Sequence, residues 1–446
     1  AYRDYYKISD DEYKSFLHFE EDFEDDEPVT SVDDFGSLVS EAAEEVEIGS
    51  GDYDAATDEF IASDAPIIKL VNGILTKAIN DGVSDIHIEP LENTVKVRSR
   101  IDGVLEERLI LAKKMHLPIV TRIKIIGGMD IAERRVPQDG RVRAKVGGKR
   151  VDMRLSTYPT MHGEKVVVRL LSSGEVYGIE TLGFDEFQRK TFEDIILKPY
   201  GIFLVSGPTG SGKTTTLYAA LQRLNSQDRN IISIEDPIEN EIPGVNQAQV
   251  NIKAGMTFAS AMRSILRQDP DVIMLGEIRD QETADIAVRA AITGHLVFST
   301  IHTNTALGAV TRLEDLGVEP FMTASALVGM MSQRLVRKIC KHCKHEVEPD
   351  PVKFQALQID ENIKVYKGKG CKYCRMSGYS GRLGLFRVIR MSVDIKRMIV
   401  EGASEAQLNE AANKLGIKEL KEQGVARIMD GTTTIEEVLR VTNVDL

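Results

Sequence analysis

The sequence predicts an α/β fold whose core is a parallel β-sheet, with a smaller α+β domain before it. Short apolar segments rich in β-branched residues are typical of parallel strands covered on both faces. Four such segments occur in the second half of the chain or just before it, at 202–205, 231–234, 272–275 and 296–300. Two-residue connections that favour hairpins lie upstream of them, at Asp102-Gly103 and Gly147-Gly148. These observations divide the chain near residue 178.

The first 64 residues differ from the rest of the chain in charge. They contain 22 Asp and Glu residues against 3 Lys and Arg, whereas residues 65–446 contain 47 acidic and 53 basic residues. Acidic runs such as 20–27 repel themselves and stay solvated, so we predict a flexible leader or linker at 1–64 with a short helix near 35–47. An acidic segment that docks on a basic partner is the alternative.

Residues 65–177 alternate between helical and strand-like patterns. Apolar residues recur at helical spacing over 67–79, and a second helix is predicted at 113–126. Strands are predicted on either side of the two-residue connections. Their ranges are 94–101, 104–110, 141–146 and 149–155. Together these elements predict a small α+β domain at 65–177.

The most informative motif follows the first apolar strand of the core. Residues 207–214 fit the pattern G-x-x-x-x-G-K-[ST] between that strand and a helix-compatible segment at 215–224. Backbone N–H groups of such a loop surround a polyphosphate at the positive end of a helix. We predict that Lys213 reaches the β- and γ-phosphates and that the Thr214 hydroxyl holds Mg²⁺. The predicted contact residues are Gly207, Pro208, Thr209, Gly210, Ser211, Gly212, Lys213, Thr214 and Thr215.

Acidic residues follow two other predicted strands. Glu277 comes after the strand at 272–275, and ligands of open α/β sheets bind where the strands end. Its carboxylate could orient or deprotonate the water that attacks the γ-phosphate, or help to hold Mg²⁺ through water. Glu235 follows the strand at 231–234 in the same way.

Histidines and arginines complete the set of candidate residues. His295 and His302 bracket the strand at 296–300 and are candidates for contact with the phosphates, although a histidine at a strand end often has a structural role. Oligomeric ATPases often supply an arginine to the phosphates from another domain or subunit. From spacing alone each candidate arginine is a surface charge. The candidates are Arg141, Arg154, Arg263 and Arg267.

The four cysteines form two C-x-x-C pairs, separated by 27 residues. Two thiolate pairs are typical of a tetrahedral Zn²⁺ site that is closed and therefore not catalytic. Disulfides and redox-active pairs are the alternatives, but disulfides are rare in the cytosol and nothing activates two thiolates. We predict structural zinc in an insert at about 336–385, with His342 and His345 as bystanders, and a helical region at about 386–446. The predicted ligands are Cys340, Cys343, Cys371 and Cys374.

Four of these motifs together resemble those of the secretion ATPase superfamily. Residues 207–216, 234–239, 275–280 and 294–304 are similar, in this order, to its Walker A, Asp box, Walker B and His box. The insert with the four cysteines resembles that of the branch of the superfamily that contains type IV pilus assembly ATPases and type II secretion ATPases. The resemblance covers about 65–446.

The resemblance implies a homohexameric motor that hydrolyses ATP. Each subunit would have a PAS-like N-terminal domain at 65–177 and a RecA-like ATPase domain at 178–446, with ATP between the two. Glu277 would be the catalytic glutamate, with Glu235 and the two histidines shaping the phosphate end of the site. Arg141 and Arg154 would approach the phosphates from the N-terminal domain, and Arg263 and Arg267 would lie near the same site.

The resemblance also implies where the motor works. We expect a cytoplasmic protein, peripheral at the inner membrane through a platform protein and other pilus or secretion components. No apolar run approaches the roughly 18 residues of a membrane span, and no signal peptide pattern opens the sequence. Pilus assembly is our first prediction and type II secretion the alternative. A nucleic-acid translocase is less favoured because the charge of 65–446 is only mildly positive, and Glu277 argues against a scaffold without turnover.

Overall fold

The computed structural model describes residues 21–22, 65–146, 149–172, 178–348, 350–359 and 363–442. The chain divides into two compact units, Ala1–Gly174 and Glu175–Leu446. The predicted helix near 35–47 lies outside the described residues, as does most of the acidic leader. One two-residue strand of the leader is described.

The first unit is a seven-stranded sheet with two helices. Its helices are α1 (Ala65–Asn80) and α2 (His116–Ile126). Its strands are β1 (Glu21–Asp22), β2 (Asp85–Pro90), β3 (Thr94–Ile101), β4 (Val104–Ala112), β5 (Gln138–Val146), β6 (Lys149–Thr160) and β7 (Gly163–Ser172). The sheet order is β1-β5-β6-β7-β2-β3-β4, antiparallel except for the parallel pair β1 and β5.

Local sequence accounts for this unit. Asp102 and Gly103 both have positive φ angles, 48° and 86°, which a primed hairpin turn requires. Alternate residues of β2 and β3, such as Ile86 and Val97, are buried together with Leu70 of α1 and other apolar helix residues. The predicted strands 94–101 and 104–110 and the predicted helices at 67–79 and 113–126 are therefore confirmed.

The second unit contains a seven-stranded sheet, a two-stranded sheet and eleven described α-helices. The strands are β8 (Gly201–Ser206), β9 (Ile231–Glu235), β10 (Asn246–Gln249), β11 (Val272–Leu275), β12 (Leu296–Ile301), β13 (Leu327–Ile339), β14 (Lys344–Val347), β15 (Val365–Gly368) and β16 (Tyr379–Arg390). The helices are α3 (Glu186–Ile196), α4 (Lys213–Leu224), α5 (Phe258–Ile265), α6 (Gln281–Ile292), α7 (Gly308–Asp315), α8 (Pro320–Ala326), α9 (Pro351–Leu357), α10 (Val393–Val400), α11 (Glu405–Lys414), α12 (Leu420–Met429) and α13 (Ile435–Thr442).

The large sheet has the order β10-β9-β11-β12-β8-β13-β16. Neighbouring strands are parallel except for β16, which is antiparallel to β13. Both faces are covered by helices, because Ile202 and Leu204 of β8 lie in one apolar core while Phe203 and Val205 lie in another. All four predicted core strands are confirmed, and with them the α/β fold class.

The parallel strands bring several chain segments to one side of the sheet. We call the edge at which β8, β9, β11 and β12 end the carboxyl edge. The opposite edge, at which these strands begin, is the amino edge. None of the helices in the described ranges is both long and apolar enough to cross a membrane.

Candidate active site

The carboxyl edge is held together by hydrogen bonds between the ends of neighbouring strands. The Gly276 N–H donates to the Ile234 carbonyl (2.9 Å), and the Ile278 N–H donates to the Thr300 carbonyl (3.0 Å). The Thr300 hydroxyl donates to the Gly276 carbonyl at 2.7 Å. The acidic segment after β11 is therefore fixed between β9 and β12.

The predicted phosphate loop lies at this edge, between β8 and α4. Gly207, Gly210 and Gly212 have positive φ angles of 144°, 77° and 86°. A Cβ atom at Gly207 would lie 2.6 Å from the Gln333 carbonyl oxygen, so a larger residue there would displace the strand behind the loop. Helix α4 begins directly after Gly212 without a side-chain cap. Its first N–H groups are therefore available to an anion.

Lys213 lies in the centre of the loop. Its ammonium group donates to the carbonyl oxygens of Gly207 (2.7 Å) and Pro208 (3.0 Å). Burial lowers the pKa of Lys213, the charge of Glu277 raises it, and the charge of Arg334 lowers it further. The loop thus holds a largely desolvated cation that only neutral carbonyl groups contact directly.

Several polar groups of the loop have no hydrogen-bond partner among the described residues. The Ser211 hydroxyl is buried without a hydrogen bond. The hydroxyls of Thr214 and Thr215 make no hydrogen bond to any described residue. Buried polar groups normally have partners. These open hydroxyls, together with Lys213, fit a phosphate ligand, and hydroxyl oxygen suits Mg²⁺.

Glu277 lies beside the loop at the end of β11. Its side chain is 11% exposed, and its carboxylate accepts hydrogen bonds from the Arg279 guanidinium and from Nε2 of His302 (3.0 Å). The hydrogen bond to Glu277 raises the pKa of Arg279, and the charges of Glu277 and Asp236 add to this effect. The structure therefore joins Glu277 to His302 and places it near enough to Lys213 for its charge to raise the pKa of that lysine.

Glu235 is also at the carboxyl edge, but its carboxylate is already occupied. It accepts hydrogen bonds from the Tyr218 hydroxyl, the Ser233 hydroxyl (2.6 Å) and the Gln247 amide (3.0 Å). Burial, with the charge and hydrogen bond of Glu235, raises the pKa of Tyr218, which keeps the phenol as a donor. Because Tyr218 belongs to α4, Glu235 fixes the helix that follows the phosphate loop.

His295 lies away from these residues. It precedes β12 at the amino edge, where its Nδ1 is 3.1 Å from the Ala290 carbonyl and its own carbonyl accepts from the Gly201 N–H at 3.0 Å. His302 follows the same six-residue strand, which is about 20 Å long. Within the chain, His302 contacts Glu277 and His295 does not, and the roles of both histidines at the phosphates stay predictions.

Two predicted arginines of the second unit lie on α5 or just after it. The Arg263 guanidinium pairs with Glu282, and Arg267 donates to the Arg263 carbonyl (2.7 Å) and the Ser264 hydroxyl (3.3 Å). Both side chains are exposed, and neither contacts the phosphate loop of its own chain.

The other two predicted arginines are neighbours in the first unit. Arg141 of β5 is directly opposite Arg154 of β6, and Arg154 is directly opposite Arg169 of β7. Sequence reasoning missed Arg169, which donates to Asp85 at 2.8 Å. Strand alternation could have found it, because the three arginines share one row across three neighbouring strands.

Sequence reasoning also missed two residues of β13 that lie against the phosphate loop. The Thr216 hydroxyl donates to Oε1 of Gln333 at 2.8 Å, and Nη1 of Arg334 lies 3.4 Å from where a Cβ of Gly207 would be. The available signal was a polar group, Ser332, Gln333 and Arg334, with apolar residues on both sides at 327–331 and 335–336. The strand β13 is not among the four strands that the sequence predicts, so its polar residues were not candidates.

The four cysteines form a cluster at the end of β13. Their sulfur atoms lie within 4.8 Å of one another, with separations of 3.9 Å for Cys340 and Cys371, 3.7 Å for Cys343 and Cys374, and 3.7 Å for Cys371 and Cys374. Four sulfurs at about 2.3 Å from a central Zn²⁺ would be about 3.8 Å apart. The thiols can therefore hold one tetrahedral metal ion.

Backbone groups support this cluster. The N–H groups of Cys371 (3.1 Å) and Gly378 (3.3 Å) donate to the Cys374 sulfur, which favours a thiolate. The His342 ring stacks on Tyr373 with 4.0 Å between ring centres. Neither His342 nor His345 belongs to the cluster.

Comparison with known proteins identifies the family of this chain. A family model described as "Type II/IV secretion system protein" matches residues 61–440. The chain belongs to this family. The resemblance expected from the four motifs is therefore confirmed, and relatives in the family are named ATPases.

Pilus assembly and type II secretion relatives match the chain with almost the same sequence identity. The type IV pilus assembly ATPase PilB of Thermus thermophilus is 50% identical over 379 residues, which are 84% of this chain and 43% of PilB. The type II secretion system ATPase E of Vibrio cholerae is 47% identical over 415 residues, which are 92% of this chain and 80% of that protein. The chain thus spans less than half of PilB and most of the secretion ATPase.

A solved structure supports the fold. The pilus retraction motor PilT with bound ADP is 26% identical, with a TM-score of 0.56 over 82% of this chain and 95% of PilT. Together with the parallel sheet and the cysteine cluster, this likeness agrees with the fold class predicted from the sequence.

Proposed function

We propose that this chain is the ATP-hydrolysing subunit of a hexameric motor that powers type IV pilus assembly. The observation that carries the proposal is the grouping of Lys213, Glu277 and His302 around an open phosphate loop, in a chain whose relatives are named ATPases. Type II secretion is the second candidate, because a type II secretion ATPase is 47% identical over 92% of the chain.

Each residue at the carboxyl edge has a separate role in this proposal. Lys213 leaves the loop carbonyls and binds the β- and γ-phosphates of ATP. Glu277 orients the attacking water and accepts its proton, while His302 and Arg279 hold the carboxylate in position. Glu235 acts through Tyr218 by fixing α4, and it does not touch the phosphates itself.

Two metal ions complete the proposal. Mg²⁺, held by the Thr214 hydroxyl, would neutralise charge on the phosphates. Zn²⁺, held by the four thiolates, would fix the segment between β13 and β16. The sulfur separations support zinc, and the free hydroxyl of Thr214 supports magnesium.

The arginines are proposed to act between neighbouring domains or subunits. Arg141 and Arg154 form one row of a sheet, and Arg263 and Arg267 are exposed, so all four could be presented to a second chain. Mixing an Arg154→Gln chain with a Glu277→Gln chain tests this. If Arg154 acts in trans, mixed oligomers contain some intact sites and recover part of the activity. If mixing recovers no activity, Arg154 does not act in trans.

The biological output is tested in the host cell. Deletion of the gene should abolish surface pili if the motor assembles pili, and should leave exoprotein secretion unchanged. The opposite result favours the type II secretion motor. In either case we propose that the motor works at the inner membrane through a platform protein, without nucleic acid. Strong stimulation of ATP hydrolysis by DNA would contradict this.

A further inference from the structure

Arg334 is a buried cation that the proposed mechanism does not yet use. It lies on β13, the strand next to β8, and it is 8% exposed. Its Nη1 donates to the Gln333 carbonyl (3.0 Å), and its Nη2 donates to the Asn304 carbonyl (2.8 Å). Both contacts are to neutral groups.

The guanidinium lies against the phosphate loop. A Cβ atom at Gly207, the first residue of the loop, would be 3.4 Å from Nη1 of Arg334. The charge of Arg334 also lowers the pKa of Lys213, so the two cations are close enough to repel each other. The phosphate loop therefore has one desolvated cation within it, Lys213, and a second one packed against its first residue, Arg334.

Arg334 has no ion pair with any carboxylate in the described ranges, and burial lowers its pKa. Two other arginines of this sheet, the half-buried Arg337 and the buried Arg387, have different partners. Arg337 pairs with Glu437 at 2.8 Å, and Arg387 binds the side-chain oxygens of Asn409 (2.6 Å) and Asn413 (2.7 Å). A desolvated cation without a counter-ion is costly, and an anionic ligand removes that cost.

We propose that Arg334 is a second phosphate-binding residue, which acts together with Lys213 of the same subunit. This inference rests on the proposed function, since the ligand is the nucleotide polyphosphate. Arginine presents several donors in a planar fork, so Arg334 can keep its carbonyl contacts and still bind a phosphate oxygen. Through Asn304 it also connects the phosphate loop to the segment that follows His302.

Isothermal titration calorimetry on the full chain in its assembled state tests the inference, with ATP and pyrophosphate as probes. Arg334→Gln should weaken both ligands by about 10- to 100-fold. Arg334→Lys keeps the charge and should show a smaller loss. Arg387→Gln is the matched control, because it removes a buried arginine from the neighbouring strand, and its affinities should stay within about threefold of the wild type.

The possible results separate a phosphate contact of Arg334 from a structural role and from failure of the proposed function. If Arg334→Gln binds pyrophosphate as the wild type does, the phosphate contact does not exist. If Arg334→Gln and Arg387→Gln lose affinity equally and melt equally early, the role of Arg334 is structural and the inference is wrong. If the wild type fails to bind ATP, or if Lys213→Ala binds ATP as tightly, the proposed function itself fails. That result is separate from the result for Arg334.

Discussion

The phosphate loop and the cysteine cluster are both recognisable in the sequence, but their side chains suit ligands of opposite charge. Among the described residues, the Lys213 ammonium group donates to two carbonyl oxygens of the loop, and the Ser211 hydroxyl has no hydrogen-bond partner. In the cluster, the four sulfurs face one another, and backbone N–H groups donate to Cys374. The loop has open donors that suit an anion, whereas the four thiols of the cluster can enclose a cation.

This difference leads us to expect that the loop serves ligand binding and turnover, and that the cluster serves the stability of the fold. Beside the loop, the side chains that hold Glu277 are Arg279 and His302, which lie in the segments after β11 and β12, and we expect them to rearrange with the nucleotide. Around the cluster, the ligands come from two short turns of the chain, each fixed by its own backbone hydrogen bonds. Changes at the loop should therefore affect ligand binding and rate, while changes at the cluster should affect stability.

Removal of the lysine is the strongest test of the loop. Lys213→Ala deletes the cation that would meet the β- and γ-phosphates, so we expect ATP affinity to fall at least about 100-fold without loss of the fold. Calorimetry measures the affinity and circular dichroism the fold. Lys253→Ala, in an exposed turn, is the control. Unchanged ATP affinity in Lys213→Ala would remove the loop from the account.

Removal of one thiol tests the cluster. Cys371→Ser should release zinc and lower the melting temperature by at least about 5 °C, because the metal joins two distant turns. ATP affinity should change less than about threefold. Metal analysis and thermal melting measure these effects, with His342→Gln as a control that keeps all four thiols. A parent protein without zinc, or a variant that loses ATP binding but not stability, contradicts the comparison.

Substitution of the two histidines compares the carboxyl edge of the large sheet with its amino edge in their effect on turnover. His302→Ala removes a group that holds Glu277, and we expect turnover to fall about tenfold. His295→Ala acts at the amino edge, and we expect a change of less than about twofold. Steady-state phosphate release measures both. Equal losses of turnover in the two variants would contradict this difference between the edges and would indicate that His295 acts at the site of another subunit.

The smallest expected effect is at Tyr218. Tyr218→Phe leaves the buried Glu235 carboxylate with two of its three donors, which should cost about 1–2 kcal/mol of stability and raise the KM for ATP a few-fold. Tyr200→Phe, at an exposed position, is the control. Thermal melting and ATP titration measure the pair. A variant with normal stability but no turnover would instead make Tyr218 a catalytic residue.

Sequence patterns predicted those parts of the site that depend on local chemistry. The phosphate loop, Glu277 and the cysteine pairs are each defined by neighbours in the chain, and the parallel order of the sheet then brings them into place. Strand direction separates the two histidines, because only His302 follows β12, at the edge where ligands of a parallel sheet bind. Gln333 and Arg334 were missed because β13 reaches the loop only through long-range pairing with β8.

The most direct test of the central claim combines binding and turnover in Glu277→Gln. The account predicts that the assembled variant binds ATP within about threefold of the wild type but releases phosphate at least about 100-fold more slowly, because the amide cannot accept a proton. Glu241→Gln, at an exposed position, should behave as the wild type. Near-normal phosphate release by Glu277→Gln would contradict the assignment of Glu277 and with it the proposed reaction at the carboxyl edge.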